Sequence, residues 1–187
     1  MSTFASFKIN NQNISLVYSQ EKYAKDLYQV IDSDRKYLSV WLPWVEKTKS
    51  VNDERSALKE NQRKFLDHSQ LTLIIINKQQ ILGSIELHNF DFSDKSAEIG
   101  YWLASPYQGQ GIMTGAVKTL VKKAFSKFNL AKLTIKVASG NLKSRAIAIR
   151  SGFIYKGRLA KPIFINDHYE NDLIYSIFNK KSKDKPH

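Results

Sequence analysis

Residues 97–115 read "AEIGYWLASPYQGQGIMTG". The opening "AEIGYWLA" has the period of a strand, and alternation puts Glu98, Gly100 and Trp102 on one face. The glutamine-flanked pair Gly109 and Gly111 follows. Then "MTGAVKTLVKKAFSKF" sets Val117, Leu120, Val121, Ala124, Phe125 and Phe128 in one helical stripe. "KLTIKVA" is the next strand. A strand–helix–strand unit with a right-handed crossover makes its two strands parallel.

Outward from this unit the pattern is mostly antiparallel. "LTLIIIN" and "ILGSIELHN", separated by "KQQ", read as a hairpin, with "FDFSDKS" as the loop into "AEIGYWLA". "ISLVYS" is an earlier strand, and "FIYKGRLA" and "HYENDLIYSIF" are the last two. Tyr23, Leu27, Val30 and Ile31 mark a first helix, with Ser19 placed to cap it. Ser50 and Asp53 open a second, whose face carries Leu58, Asn61 and Phe65. The aromatic connector "RKYLSVWLPWVEK" joins the two. "NLKSRAIAIRSG" is a short helix stopped by Gly152. The expectation is an α/β (α+β) domain: a mixed, mostly antiparallel seven-stranded sheet around a parallel pair, with about four helices. It spans residues 1–178, and 179–187 is a basic, frayed tail.

The chain has 187 residues and no cysteine, which excludes disulfides, thiolate metal sites and cysteine nucleophiles. No secretory h-region and no membrane-length apolar run is visible, so a cytoplasmic protein is expected. The net charge of +12 favours anionic partners.

Bare backbone at a helix mouth suits an anion, because first-turn N–H groups lack partners and the dipole is positive there. A Walker loop needs Lys-Ser or Lys-Thr after the second glycine, where this chain has Ile112-Met113. A dinucleotide fingerprint needs its third glycine one place before Gly115, and an acidic residue ending the next strand, which "KLTIKVA" lacks. A plain tight turn and a phosphate site both remain compatible with the loop alone.

Gln108-Gly109-Gln110-Gly111-Ile112-Met113 resembles the Q/R-x-x-G-x-G/A signature of the GNAT superfamily of acetyl-coenzyme A-dependent N-acetyltransferases, with Met at the last position. "GIMT", "AEIGYWL", "NLKSRAIAIRSGF", "WLPW" and "HYENDLIYSI" are similar to the RimJ/RimL branch, which acetylates ribosomal-protein N-termini. The resemblance covers about Tyr37 to Ile177. It implies a parallel pair splayed at the cofactor, and a coenzyme A pyrophosphate on the loop, at Gln108, Gly109, Gln110, Gly111, Ile112, Met113 and Thr114. It further implies a pantetheine arm along Trp102, Leu103 and Ala104, bonded by Asn141. Lys143 and Arg145 are the nearest cations for the 3′-phosphate, or are solvated helix charges.

Acetyl transfer needs a neutral amine, a polarised carbonyl and a stabilised thiolate. Glu98 is the favoured base, with Glu86 and then His88 as rivals, against the alternative of exposed sheet charges. The tyrosine that many GNAT enzymes use as acid falls at Ala148 here. Ser144, three after Asn141, takes that role in the RimL type and is read as a cofactor contact and a donor to the thiolate, or as a surface serine. Trp41 and Trp44 are a core staple, an acceptor wall, or both, with Glu86 beside the acceptor.

The expected activity is acetyl transfer from acetyl-CoA to the α-amine of a protein, a ribosomal and acidic one. Alternatives are transfer to a polyamine, aminoglycoside or amino acid, and a non-catalytic CoA- or ribosome-binding protein. A strongly basic chain is a poor attractor of polyamines. No metal, no membrane and no direct nucleic-acid reading are expected, and a homodimer is compatible with all of this.

Overall fold

The computed structural model describes residues 3–159, 163–165 and 168–180. Its centre is an eight-stranded sheet in the order β1-β2-β3-β4-β5-β6-β10-β7. The strands are β1 (Thr3–Ile9), β2 (Gln12–Tyr18), β3 (Leu71–Asn77), β4 (Gln80–Asp91), β5 (Ser96–Leu103), β6 (Lys132–Ala138), β7 (Ile154–Arg158) and β10 (Asp172–Phe178). A separate hairpin pairs β8 (Ile163–Ile165) with β9 (His168–Glu170). The helices are α1 (Ala24–Ser33), α2 (Arg35–Leu38), α3 (Val51–Leu66), α4 (Ile112–Lys127) and α5 (Leu142–Arg150).

β3 is buried on both faces, which explains its unbroken apolar run. Leu71, Leu73 and Ile75 join the core under α4, with Val117, Leu120 and Ala124. Ile74 and Ile76 join Leu27 of α1 and Leu58 of α3 on the opposite side. The helices therefore sandwich the sheet.

β5 and β6 are parallel, as the crossover requires, but pair only at Ser96, Ala97 and Glu98. Beyond the Glu98–Thr134 pair the strands diverge, and β6 continues against β10 down to Ala138–Asp172. The splay opens at the C-terminal ends of the strands, where α4 begins.

Several expectations are corrected. The sheet has eight strands, not seven, because "TFASFKI" forms β1. It folds onto β2 through Asn10 and Asn11, both at positive φ (45° and 62°), as a two-residue hairpin turn demands. β1 is an edge strand whose exposed and half-buried positions give little periodic signal. "HYENDLIYSIF" divides at Asn171 into β9 and β10, and β4 runs on into the expected loop as far as Asp91. A one-turn α2 joins the four expected helices. Ser19 does not cap the first helix: a 3-10 turn, Glu21–Tyr23, precedes α1, and Ser19 is buried with its N–H donating to Thr72 O.

Other local readings hold. Ser50 Oγ accepts from Asp53 N at 3.2 Å, and Asp53 Oδ2 accepts in return from Lys49 N at 3.0 Å. Gly152, at φ 89°, ends α5 with Phe153 N–H on Ala148 O and Gly152 N–H on Ile149 O, a Schellman closure. At the expected domain limit, Asn179 N–H reaches Ala131 O at 2.9 Å. The rest of the tail from 181 lies outside the described residues, as does His168 beyond its backbone.

Candidate active site

At the splay lies a cleft of about 890 Å³, walled by β5, the glycine loop, the start of α4, α5 and the α2 connector. Of the residues expected at the cofactor, Trp102, Leu103, Gln108, Gly109, Gly111, Ile112, Met113, Thr114, Asn141 and Ser144 all line it. Ala104 and Gln110 do not. Ala104 is buried, its N–H on Leu82 O, and Gln110 turns its amide onto Pro106 O at 3.2 Å.

The loop has the geometry an anion site needs. Gly109 and Gly111 sit at φ 74° and 79°, where a side chain is strained. An added Cβ on Gly109 would meet nothing within 4 Å, and one on Gly111 only Ile9 Cδ1 at 3.9 Å, so the approach is open. The N-terminal bond of α4 runs from Gly115 N–H to Gly111 O at 2.9 Å. The N–H groups of Ile112, Met113 and Thr114 therefore lack partners within the helix and can hold a pyrophosphate. Past Glu98, β5 has no β6 partner and offers its edge to an extended arm.

Side chains from distant segments brace this wall. Gln108 Nε2 donates to Leu103 O at 2.9 Å, and its Oε1 accepts from Tyr37 OH and Lys143 Nζ, each at 2.9 Å. Asp34, after α1, accepts from both N and Oγ of Ser105 at 2.6 Å. Arg35 donates to Val45 O and Thr48 O at 2.6 and 2.7 Å, fixing the aromatic connector. Lys143 lines the cleft over the Tyr37 ring, whereas Arg145 turns away to Ser139 O. Asn141 caps α5, its Oδ1 accepting from Ser144 N at 3.1 Å, which leaves its amide hydrogens for a ligand.

Glu98, Glu86 and His88 lie on the Trp102 face of β4 and β5, opposite Tyr101, and converge. His88 Nδ1 is 3.2 Å from Glu86 Oε1, buried and without an aligned hydrogen bond, and its Nε2 is 3.8 Å from Glu98 Oε2. Lys136 Nζ donates to Glu98 Oε1 at 2.6 Å. Gln70 and Thr72 hold Glu86 Oε2 at 2.9 and 3.3 Å. Next along, burial raises the Asp172 carboxyl, with Lys136 opposing and Glu98 adding to that shift. Gly100 matters here: a Cβ would come within 3.1 Å of Glu86 Oε1 and 3.2 Å of His88 Cε1. Glu86 and His88 thus close over Gly100, which is next to the cleft-lining Tyr101 and two residues from Trp102.

The two connector tryptophans part company. Trp41 lines the cleft, while Trp44 is 37% exposed and packs tilted on Trp102 at 6.1 Å between ring centroids. Tyr37 and Tyr101 are wall residues that the motif reading did not assign, and Lys143, read there as a cation for the 3′-phosphate or a solvated helix charge, lines the cleft with them. Alternation along β5 singles out Tyr101 as the phenol among Ile99 and Leu103. The Tyr37 and Lys143 contacts arise from long-range packing and leave no local signal. Among the described residues, no helix is long and apolar enough to cross a membrane, and no cluster of His, Cys, Asp or Glu could hold a metal.

A splayed parallel pair with a glycine-lined helix mouth is what the GNAT resemblance implies, and the comparisons show that family. The chain belongs to the acetyltransferase (GNAT) domain family, which matches residues 14–154. It is 30% identical over 166 residues to the ribosomal-protein-serine acetyltransferase of Escherichia coli, covering 89% of this chain and 93% of that one. It is 29% identical over 140 residues to the spermidine N(1)-acetyltransferase of the same species, covering 75% and 74%. Among solved structures it is similar to the microcin C7 self-immunity acetyltransferase MccE in complex with acetyl-CoA and AMP, with 30% identity, a TM-score of 0.86 and coverage of 95% and 98%. The protein is an acetyl-CoA-dependent N-acetyltransferase.

Proposed function

We propose that the enzyme acetylates the N-terminal α-amine of a ribosomal protein. The observation that carries this is the opposition of two built surfaces at one splay: the open helix mouth of α4, and the Glu86–His88–Glu98 cluster behind Gly100. The pyrophosphate rests on the N–H groups at the start of α4. The pantetheine arm follows the free edge of β5 past Trp102, and Asn141 bonds it from α5. Glu98, directly or through water, takes a proton from the amine, and His88 lies between it and Glu86. An α-amine near about 8 needs only modest help, which suits a carboxylate compensated by Lys136. Ser144 donates to the departing thiolate. The connector with Trp41 and Trp44 borders the acceptor's entry.

The name of the E. coli relative supports a protein acceptor, and the basic surface supports an acidic one. A second reading, a small amine, is supported by the relation to a spermidine acetyltransferase. The deciding experiment measures thiol release from acetyl-CoA with peptides bearing free N-termini, with spermidine and with an aminoglycoside. Turnover of peptides and slower or no turnover of the small amines is expected. Turnover of a small amine alone replaces the protein reading with the second one.

A further inference from the structure

The enzyme lacks a tyrosine where Ala148 stands, and Ala148 is fully buried with nothing to donate. A phenol nevertheless reaches the cleft from another element. Tyr101 of β5 projects on the face opposite Glu98, and its OH lies 2.9 Å from Ser144 Oγ and 3.2 Å from Ser144 O. Tyr101 and Ser144 are 43 residues apart in sequence and both line the cleft. Ser144 is itself fixed, because its N–H donates to the capping Asn141.

We infer that Tyr101 is a positioning residue for acetyl transfer: its phenol donates to Ser144 Oγ and thereby turns the serine hydrogen toward the departing coenzyme A sulfur. This rests on the cofactor placement proposed above. A hydroxyl carries one hydrogen. When Tyr101 donates to Ser144 Oγ, the serine hydrogen is free for a third atom. When the bond runs the other way, Tyr101 donates to Ser144 O, and no hydroxyl hydrogen faces the cleft. Charge growing on sulfur selects the first arrangement, because a hydrogen bond to an anion is the stronger one.

The step balances without proton transfer at this end. The amine nitrogen bonds to the acetyl carbon, the carbon–sulfur bond breaks, and its electron pair stays on sulfur. The thiolate departs hydrogen-bonded to Ser144 and is protonated by water. Burial pushes the Tyr101 phenol up to about 12, with the Ser144 bond and the Arg150 charge opposing. An alkyl thiol ionises near about 8.5, so the phenol keeps its proton against the thiolate and acts as a donor only. The charged groups of the wall around it are Arg150 and Lys143, both of α5.

The test needs no acceptor. Coenzyme A is bound to the wild-type protein, Tyr101→Phe, Ser144→Ala and the double variant, and its thiol is titrated by ultraviolet thiolate absorbance. The ionisation constant of the bound thiol should be about tenfold larger in the wild type than in either single variant, one pH unit. The double variant should match the singles, since the two hydroxyls act as one unit. With an N-terminal serine peptide, Tyr101→Phe should lower kcat about tenfold while leaving the acetyl-CoA KM and the melting midpoint unchanged. Equal thiol ionisation in wild type and Tyr101→Phe overturns the inference, and so do losses that multiply in the double variant. A shifted thiol with no peptide acetylated overturns only the acceptor reading. An unshifted thiol in an enzyme that acetylates peptides overturns only the inference, and failure to bind coenzyme A overturns both.

Discussion

Gly111→Asp and Gly111→Asn together separate backbone strain from charge at the mouth of α4. Space is not the obstacle, since a Cβ there would meet only Ile9 Cδ1 at 3.9 Å. The φ of 79° is, and a side chain in the left-handed region costs about 1–2 kcal/mol. Asparagine bears most of the same strain, being one of the residues that tolerate that region best, and carries no charge. Both variants should therefore melt a few degrees lower, at about 2–4 °C per kcal/mol for a domain of this size. Aspartate adds a negative charge where the pyrophosphate is expected. At roughly 6 Å and an effective dielectric of about 20–60, one such repulsion is worth about 1–3 kcal/mol. Acetyl-CoA should therefore bind Gly111→Asp about 10- to 100-fold more weakly than Gly111→Asn. The gap should narrow as salt is raised, because the loop is exposed. Isothermal titration calorimetry of the two variants at low and high salt measures this. Equal affinity in two folded variants would refute the placement of the pyrophosphate on this loop.

Three further expectations follow, two from the site and one from α3. Glu98→Gln should lower the rate about 10²–10⁴-fold, and more than Glu86→Gln. The loss should shrink as pH rises past the amine's own ionisation near about 8, so equal and pH-independent losses would remove Glu98 from the base role. Trp44→Ala should raise the KM for a peptide acceptor without changing acetyl-CoA affinity, whereas Trp41→Ala should weaken acetyl-CoA binding, because Trp41 lines the cleft and Trp44 does not; steady-state kinetics with each substrate varied separates them. Glu54, on the buried side of α3, has its carboxyl raised by burial to about 7 from a model-peptide value of 4.5. The folded state then holds the proton more tightly than the unfolded chain, so this group's contribution falls as pH rises from about 4.5 to 7 and stays at its least favourable above. Glu54→Gln should therefore gain up to about 3 kcal/mol over wild type at pH 8 and much less near pH 5, read by urea unfolding at both; a gain that does not grow with pH would contradict it.

What was legible in the sequence was local. The strand–glycine–helix junction, the stripe on α4, the Ser50–Asp53 cap and the Gly152 stop depend on groups a few residues apart, so period and spacing reveal them. The parallel β5–β6 pair followed from the handedness of a crossover, and the motif on that junction marked most of the residues that line the cleft. β1 escaped because an edge strand packs one face only, leaving its alternation faint, although Asn10-Asn11 marked its turn. Ser19 misled because a capping residue type was present where a sheet contact claimed its backbone. Alternation alone put Glu98 on one face and, by the same logic, Tyr101 on the other. Only the tertiary structure decided what each meets there. The splay after Glu98 brings α5, with Ser144, over Tyr101. The register of β4 on β5 sets His88 between two carboxylates. The Gln108–Tyr37–Lys143 brace joins three segments as far as 106 residues apart. Such contacts are fixed by how packed elements cross and by which strands stop pairing, and those are properties of the whole chain's burial rather than of any stretch within it.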